Sequence, residues 1–228
     1  MLRNLISGNL DFMQIIIYII SSLAVIFLTL PVHEFAHGLA AVKLGDNTPR
    51  WQGRLTLNPF AHIDYIGALC ILLFGFGWAK PVQVNNFNFR NPKRDMALTA
   101  AAGPVSNLIM AFAGYLLFNL FYILTNSLGL VFLWYIGIFF LYVAQINISL
   151  AVFNLIPIPP LDGSRLLFAF LPDKYYYKLM QYERIIFWVL LLLLWTNILD
   201  LPLSFLSSAV QSGISFLAGL PFRLLGVL

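Results

Sequence analysis

Long apolar runs separated by short polar loops set the layout of this chain. The run from Ile15 to Val32 carries no charge and is long enough to cross a bilayer, which takes about 20 apolar residues. Pro31 removes a backbone hydrogen bond and predicts a kink. Gly45, followed by Asp46-Asn47-Thr48-Pro49, predicts the helix stop. Residues 50–58 and 80–85 partly alternate apolar and polar positions and predict short strands at the membrane surface, the first ended by Asn58-Pro59. Residues 66–79 are apolar but short, with Gly67, Gly75 and Gly77, and suit a re-entrant element. Met96 to Leu124 and Leu130 to Phe153 predict two spans joined by an uncharged loop. Pro157, Pro159 and Pro160 then break the chain, which is tolerated at membrane depth where backbone is buried or lines a cavity. Ile185 to Leu199 predicts a further span, and the apolar tail 201–228 a last span or an interfacial helix.

Composition agrees. Of 228 residues, 61% are hydrophobic and 10% charged, against about 25% charged in a soluble domain. The expected fold is membrane all-α: a polytopic bundle of about 5–6 transmembrane helices with a broken helix, a re-entrant segment and a small membrane-associated β element. Residues 1–228 are expected to form one integral-membrane domain, with a core over about 10–170 and C-terminal helices over about 184–228. The N-terminal apolar run lacks a small-residue cleavage site and is expected to be retained. The net charge of +4 is spread over loops, which points to membrane orientation rather than nucleic acid. Cys70 is the single cysteine, so no intrachain disulfide forms, and its apolar setting points to an inert buried thiol.

Candidate chemistry concentrates in His33-Glu34-Phe35-Ala36-His37. The chain has three His (33, 37 and 62) and two Glu (34 and 183), so most of them fall within these five residues. On a helix, positions i and i+4 project from one face, so both imidazoles can reach one metal ion. Glu34 is then placed to handle the proton of water activated there. Ionisable groups inside a membrane need a partner or a job.

Basic residues mark the cytoplasmic side. Lys43, Arg50 and Arg54 follow the first run, Lys93 and Arg94 precede the Met96 run, and Arg165 to Arg184 follow the proline break. His37 lies six residues before Lys43, about 9 Å along a helix, and Asp162 three residues before Arg165. Both approach from the same side to similar depth. A catalytic zinc takes three protein ligands and one water, and Asp162 is the best third candidate. Asp162 could instead cap a helix starting near Gly163. His62 and Asp64 lie where ordinary polar contacts are expected, and Glu183 and Asp173 sit in a basic loop.

The sequence resembles the site-2 protease family of intramembrane zinc metalloproteases. The residues carrying the resemblance are His33-Glu34-x-x-His37, Gly103-Pro104-x-x-Asn107, and Asn154-x-x-Pro157 with Leu161-Asp162-Gly163. Gly53-Arg54-Leu55-Thr56-Leu57-Asn58-Pro59, Gly77-Trp78-Ala79-Lys80-Pro81-Val82 and Arg90-Asn91-Pro92-x-Arg94-Asp95 are similar to its compact bacterial branch, which lacks a PDZ domain. The resemblance spans about residues 30–170. It implies one Zn2+ per chain held by His33, His37 and Asp162, Glu34 as catalytic base, and Asn154 as hydrogen-bond donor to the reacting carbonyl. It also implies a transmembrane protein substrate in a lipid bilayer, in keeping with a bacterial plasma membrane and a site near the cytoplasmic face.

From the residues alone, Gly103 to Asn107 reads first as close helix packing with one satisfied Asn. A di-iron lipid oxidase needs more His and carboxylate ligands than this chain has. A metal carrier or silent relative is the remaining alternative, and it would not need Glu34 beside the metal.

Overall fold

The computed structural model describes residues 12–74, 77–196 and 198–226. Gly75 and Phe76 of the expected re-entrant stretch, Asn197 of the expected span 185–199, and the ends 1–11 and 227–228 lie outside the described residues.

The first helix, α1, runs from Phe12 to Leu44. Val25–Thr29 within it is π-helical, with the Leu30 N–H bonding to the Val25 carbonyl. This wide turn sits just ahead of Pro31, whose ring would clash with the carbonyl four residues back. The expected disturbance at Pro31 is thus a π turn inside an otherwise continuous helix. α1 ends at Gly45, φ +116°, whose N–H bonds to the Ala41 and Val42 carbonyls, as a left-handed cap requires.

Among the described residues there is no strand, which corrects the expected β element. Over 50–58, the end of α2 (Thr48–Trp51) and a run of turns leading into α3 (Pro59–His62) take the place of a strand. The cause is local cap chemistry. Asp46 Oδ1 accepts from the Thr48 N–H at 3.0 Å and its hydroxyl at 2.5 Å. Pro49 lies in the first turn, and Asn58 Oδ1 caps α3 through the Phe60 N–H at 3.1 Å. Residues 80–85 carry no regular structure; their N–H groups turn inward, Lys80 to the His62 carbonyl at 2.7 Å and Asn85 to Asp46 Oδ2 at 2.7 Å.

α4 (Tyr65–Phe74) is capped by Asp64 Oδ1, which accepts from the Ile66 and Gly67 N–H groups, the ordinary polar role expected of Asp64. At 10 residues it is about 15 Å long, half the roughly 30 Å hydrocarbon core. The chain then doubles back. A Cβ on Gly77 would strike the Gly67 carbonyl and lie 2.8 Å from Ile71 Cγ1, and one on Gly67 would lie 2.9 Å from the Trp78 nitrogen. Only glycine at both positions lets residues 77–79 return beside α4. Tyr18 Oη donates to the Ile71 carbonyl at 3.3 Å, tying α4 to α1.

After a 3-10 turn at Asn86–Asn88, α5 (Pro92–Leu128) and α6 (Val131–Asn154) form an antiparallel pair closed at Gly129, φ +68°. Small residues set their spacing: a Cβ on Gly114 would sit 3.0 Å from Ala144 Cβ and from the Phe140 carbonyl, the close approach that drives helix association in lipid. Ala111, Tyr115, Ala144, Ile148 and Ala218 form one core, the last from α10 (Asp200–Leu224). Tyr18, Val25, Ile26, Ile71 and Leu150 form another beneath the site.

Between α6 and α10 lie α7 (Asp162–Phe168), α8 (Asp173–Gln181) and α9 (Glu183–Trp195). Among the described residues four helices, α1, α5, α6 and α10, are long and apolar enough to cross a membrane, fewer than the 5–6 expected. The difference is α9. It has 13 residues, about 20 Å, where the sequence predicted a span over 185–199. The tail falls on the spanning side of its two alternatives by length and composition.

Candidate metal centre

His33 and His37 lie in the C-terminal half of α1 and turn the same face toward α5, where Gly103 makes room. A Cβ on Gly103 would lie 2.6 Å from both His33 Nε2 and Cε1 and would also strike His37 Nε2. The packing expected of the Gly103–Asn107 motif therefore holds, with the two imidazoles as the packed groups. Its hydrogen-bonding half does not: Asn107 is buried and neither amide atom has a partner among the described residues.

Asp162 arrives from the proline-broken segment. The Pro159-Pro160 peptide is cis. Gly163 presses on the end of α6, where a Cβ would strike the Leu155 and Ile156 carbonyls. Leu161 is the N-cap residue of α7, and no side chain caps that helix. The Asp162 carboxylate turns instead to the imidazoles. Its Oδ2 is 3.4 Å from His33 Nε2 and 3.2 Å from His37 Nε2, and the two Nε2 atoms are 3.0 Å apart.

These distances test the fit of a metal. Tetrahedral zinc with bonds of about 2.0–2.1 Å holds its ligand atoms about 3.3 Å apart, the spacing of this triangle. Asp162 Oδ2 makes no hydrogen bond despite its two close neighbours. Three buried ligand atoms thus converge from two imidazoles and one carboxylate, a donor set that suits a cation. His33, His37 and Asp162 are the one such group among the described residues. His62 stays apart, its Nε2 at 2.9 Å from the Thr56 carbonyl.

The surrounding contacts orient the group. His37 Nδ1 lies 2.8 Å from the Thr99 carbonyl. That acceptor holds the proton on Nδ1 and leaves Nε2 as the lone pair. Glu34, 6% exposed, accepts the Val82 N–H on Oε2 at 2.9 Å. Sequence reasoning missed Thr99 and Val82, since both act through the backbone: any residue offers the carbonyl and any but proline the N–H. Asn154, the last residue of α6, lines one cavity together with His33, Glu34 and Asp162.

Comparison with known proteins decides the family. The description "Peptidase family M50" matches residues 126–196, a window that includes Asn154 and Asp162 but not the paired histidines. The Bacillus subtilis (strain 168) protein "Putative zinc metalloprotease YwhC" is 42% identical over 176 residues, covering 77% of this chain and 79% of that protein. The chain belongs to peptidase family M50. This is the site-2 protease family, so the chain is a zinc metalloprotease. MJ0611 of Methanocaldococcus jannaschii, under the same designation, is 33% identical over 160 residues, 68% of this chain and 72% of that protein. Rip2 of Mycolicibacterium smegmatis, again so designated, is 31% identical over 141 residues, 60% of this chain and 51% of that protein. No solved structure matches the chain. Among M50 chemistries the donor set of two imidazoles and one carboxylate suits zinc, and the family supplies that metal.

Proposed function

We propose that this M50 protease hydrolyses a peptide bond within or beside a transmembrane helix of a membrane protein substrate. In this reading His33, His37 and Asp162 hold one zinc, Glu34 is the general base, and Asn154 donates to the reacting carbonyl. The observation that carries it is the triangle of 3.0, 3.2 and 3.4 Å among three buried ligand atoms, with Glu34 next to one of them on the same helix.

Zinc, when bound, supplies Lewis-acid chemistry that makes water a nucleophile near neutral pH and offsets charge on the carbonyl oxygen. Glu34 takes the proton of that water as its oxygen attacks the carbonyl carbon. Glu34 then delivers the proton to the amine nitrogen as the C–N bond breaks, leaving a carboxylic acid and an amine. The Val82 N–H orients the Glu34 carboxylate for both transfers. Asn154 Nδ2 donates to the carbonyl oxygen while negative charge builds there. The Thr99 carbonyl fixes the His37 tautomer throughout.

The substrate must be locally unwound, because a helix hides its own carbonyls. Residues 80–85 run beside Glu34, and their remaining backbone groups offer an extended substrate a strand-like partner. Lys43 in the last turn of α1, Arg50 in α2, Arg54 in the loop after it, Lys93 and Arg94 in the first turn of α5 and Arg165 in α7 gather at the site's end of the helices. By the positive-inside rule that end faces the cytoplasm, here of a bacterial plasma membrane, and gives water a short route. The shortness of α4 and the return of Gly77 beside Gly67 favour a re-entrant hairpin at 66–79, with the whole chain acting as one domain.

The test pairs metal content with cleavage. Wild type and Glu34→Gln are purified in detergent, their zinc is quantified, and each is incubated with labelled single-span peptides. About one zinc in both and cleavage by wild type alone is the expected result. Zinc in both with no cleavage in either would make the protein a silent relative or metal carrier, and zinc in neither would remove the ligand assignment.

A further inference from the structure

Two cavities meet at the ligand triangle. The smaller, about 50 Å³, lies toward Val84, Thr99 and Arg165. The other, about 150 Å³, opens from His33, Glu34, Asn154 and Asp162 into a largely apolar recess. Its walls are Leu30 of α1, Trp78 of the returning segment, Phe153 of α6, and Phe187, Leu190 and Leu191 of α9. Trp78 and Phe187 meet edge to face at 5.5 Å and 86°. Leu190 and Phe153 are 3% and 4% exposed and pack with Leu161 and Leu194, so the back of the recess is firm.

We infer that this recess is a specificity subsite, which takes one apolar substrate side chain of leucine or phenylalanine size next to the scissile bond. The inference rests on the protease reading above. Size and chemistry carry it. A dry cavity of about 150 Å³ walled by Leu and Phe holds a benzene ring, so the recess admits a Leu or Phe side chain. Apart from the site residues no charged side chain lines it, and the Trp78 indole is the single polar side chain among its walls, so a charged side chain would lose its hydration without an ionic partner. Glu34 and Asp162 line both cavities, so a side chain in the recess leaves its own peptide bond at the reacting groups. Trp78, Phe187, Leu190 and Leu191 act by shape, as specificity residues.

The test varies one substrate position. Single-span peptides carry Gly, Ala, Leu, Phe or Asp next to the cleavage point, and kcat/KM is measured for each. Wild type favours Leu and Phe over Gly and Asp by about tenfold or more, the discrimination that filling an apolar pocket gives. Leu191→Trp, which fills the recess, lowers the Phe-to-Ala ratio by about tenfold at unchanged zinc content, and Phe187→Leu, which widens it, moves the optimum to Trp. Ratios unmoved by both substitutions overturn the inference. A second readout needs no turnover. Peptides with photoleucine at successive positions are irradiated with Glu34→Gln, and the labelled residues are mapped. Label on 78, 187, 190 or 191 from one position supports the subsite even if wild type cuts nothing, in which case the catalytic reading alone fails. Label elsewhere from every position overturns the subsite.

Discussion

The Val82 N–H donates to Glu34 Oε2 at 2.9 Å, joining residues 48 positions apart. A segment that reads as a strand is instead the clamp on the proposed general base.

Val82→Pro removes that N–H without touching a ligand. We expect kcat/KM to fall about tenfold to a hundredfold, the usual cost of losing a supporting contact, with zinc content unchanged. Val82→Ala keeps the N–H and retains most activity. Equal rates for the two variants would show that the contact is idle.

Gly103→Ala puts a Cβ 2.6 Å from His33 Nε2. The rings must move, and zinc retained after dialysis is expected to drop well below that of wild type. Gly213→Ala, where nothing lies within 4 Å of an added Cβ, is the matched control and retains its metal.

Chelation should abolish cleavage, and stoichiometric zinc should restore it. Asp162→Asn keeps the shape but removes the charge, so recovery is expected to need at least tenfold more zinc. Recovery at the wild-type concentration would remove Asp162 from the ligand set.

Asn154→Ala is expected to lower kcat about tenfold to a thousandfold with little change in KM, the pattern of a group that acts on charge developing in the reaction. An equal rise in KM alone would assign Asn154 to substrate binding.

Asp46 is fully buried just past α1 and pins the loop 46–48 to residues 85–88. Burial raises its pKa, but hydrogen bonds from Thr48, Asn88 and the Asn85 N–H outweigh that and hold it below the usual carboxylate value. A folded pKa below the unfolded one stabilises the protein above the unfolded value of about 3.9, and the gain is lost as pH falls through the folded value. Resistance of the 46–88 loops to proteolysis should therefore weaken below about pH 4. Asp46→Ala should cost about 1–3 kcal/mol of stability at neutral pH and flatten that acid dependence.

Much of this protein was legible in order along the chain. The apolar runs that became α1, α5 and α6, the Gly45 stop, and the pairing of His33 with His37 are periodic or local features, decided by neighbours within a few residues. Asp162 was legible only as a matched depth, and its competing role as a cap was undecided until Leu161 took the cap and the carboxylate met two imidazoles. The strands at 50–58 and 80–85 were misread because Asp46 and Asn58 offer their own side chains to the backbone, which local alternation does not register. α9 was read too long because apolar composition continues past the point where its helix ends. The Val82 and Thr99 contacts, the room at Gly103 and the recess under Trp78 and Phe187 came only with the tertiary structure. They depend on backbone groups and on empty space, and neither has a residue type that spells it in sequence.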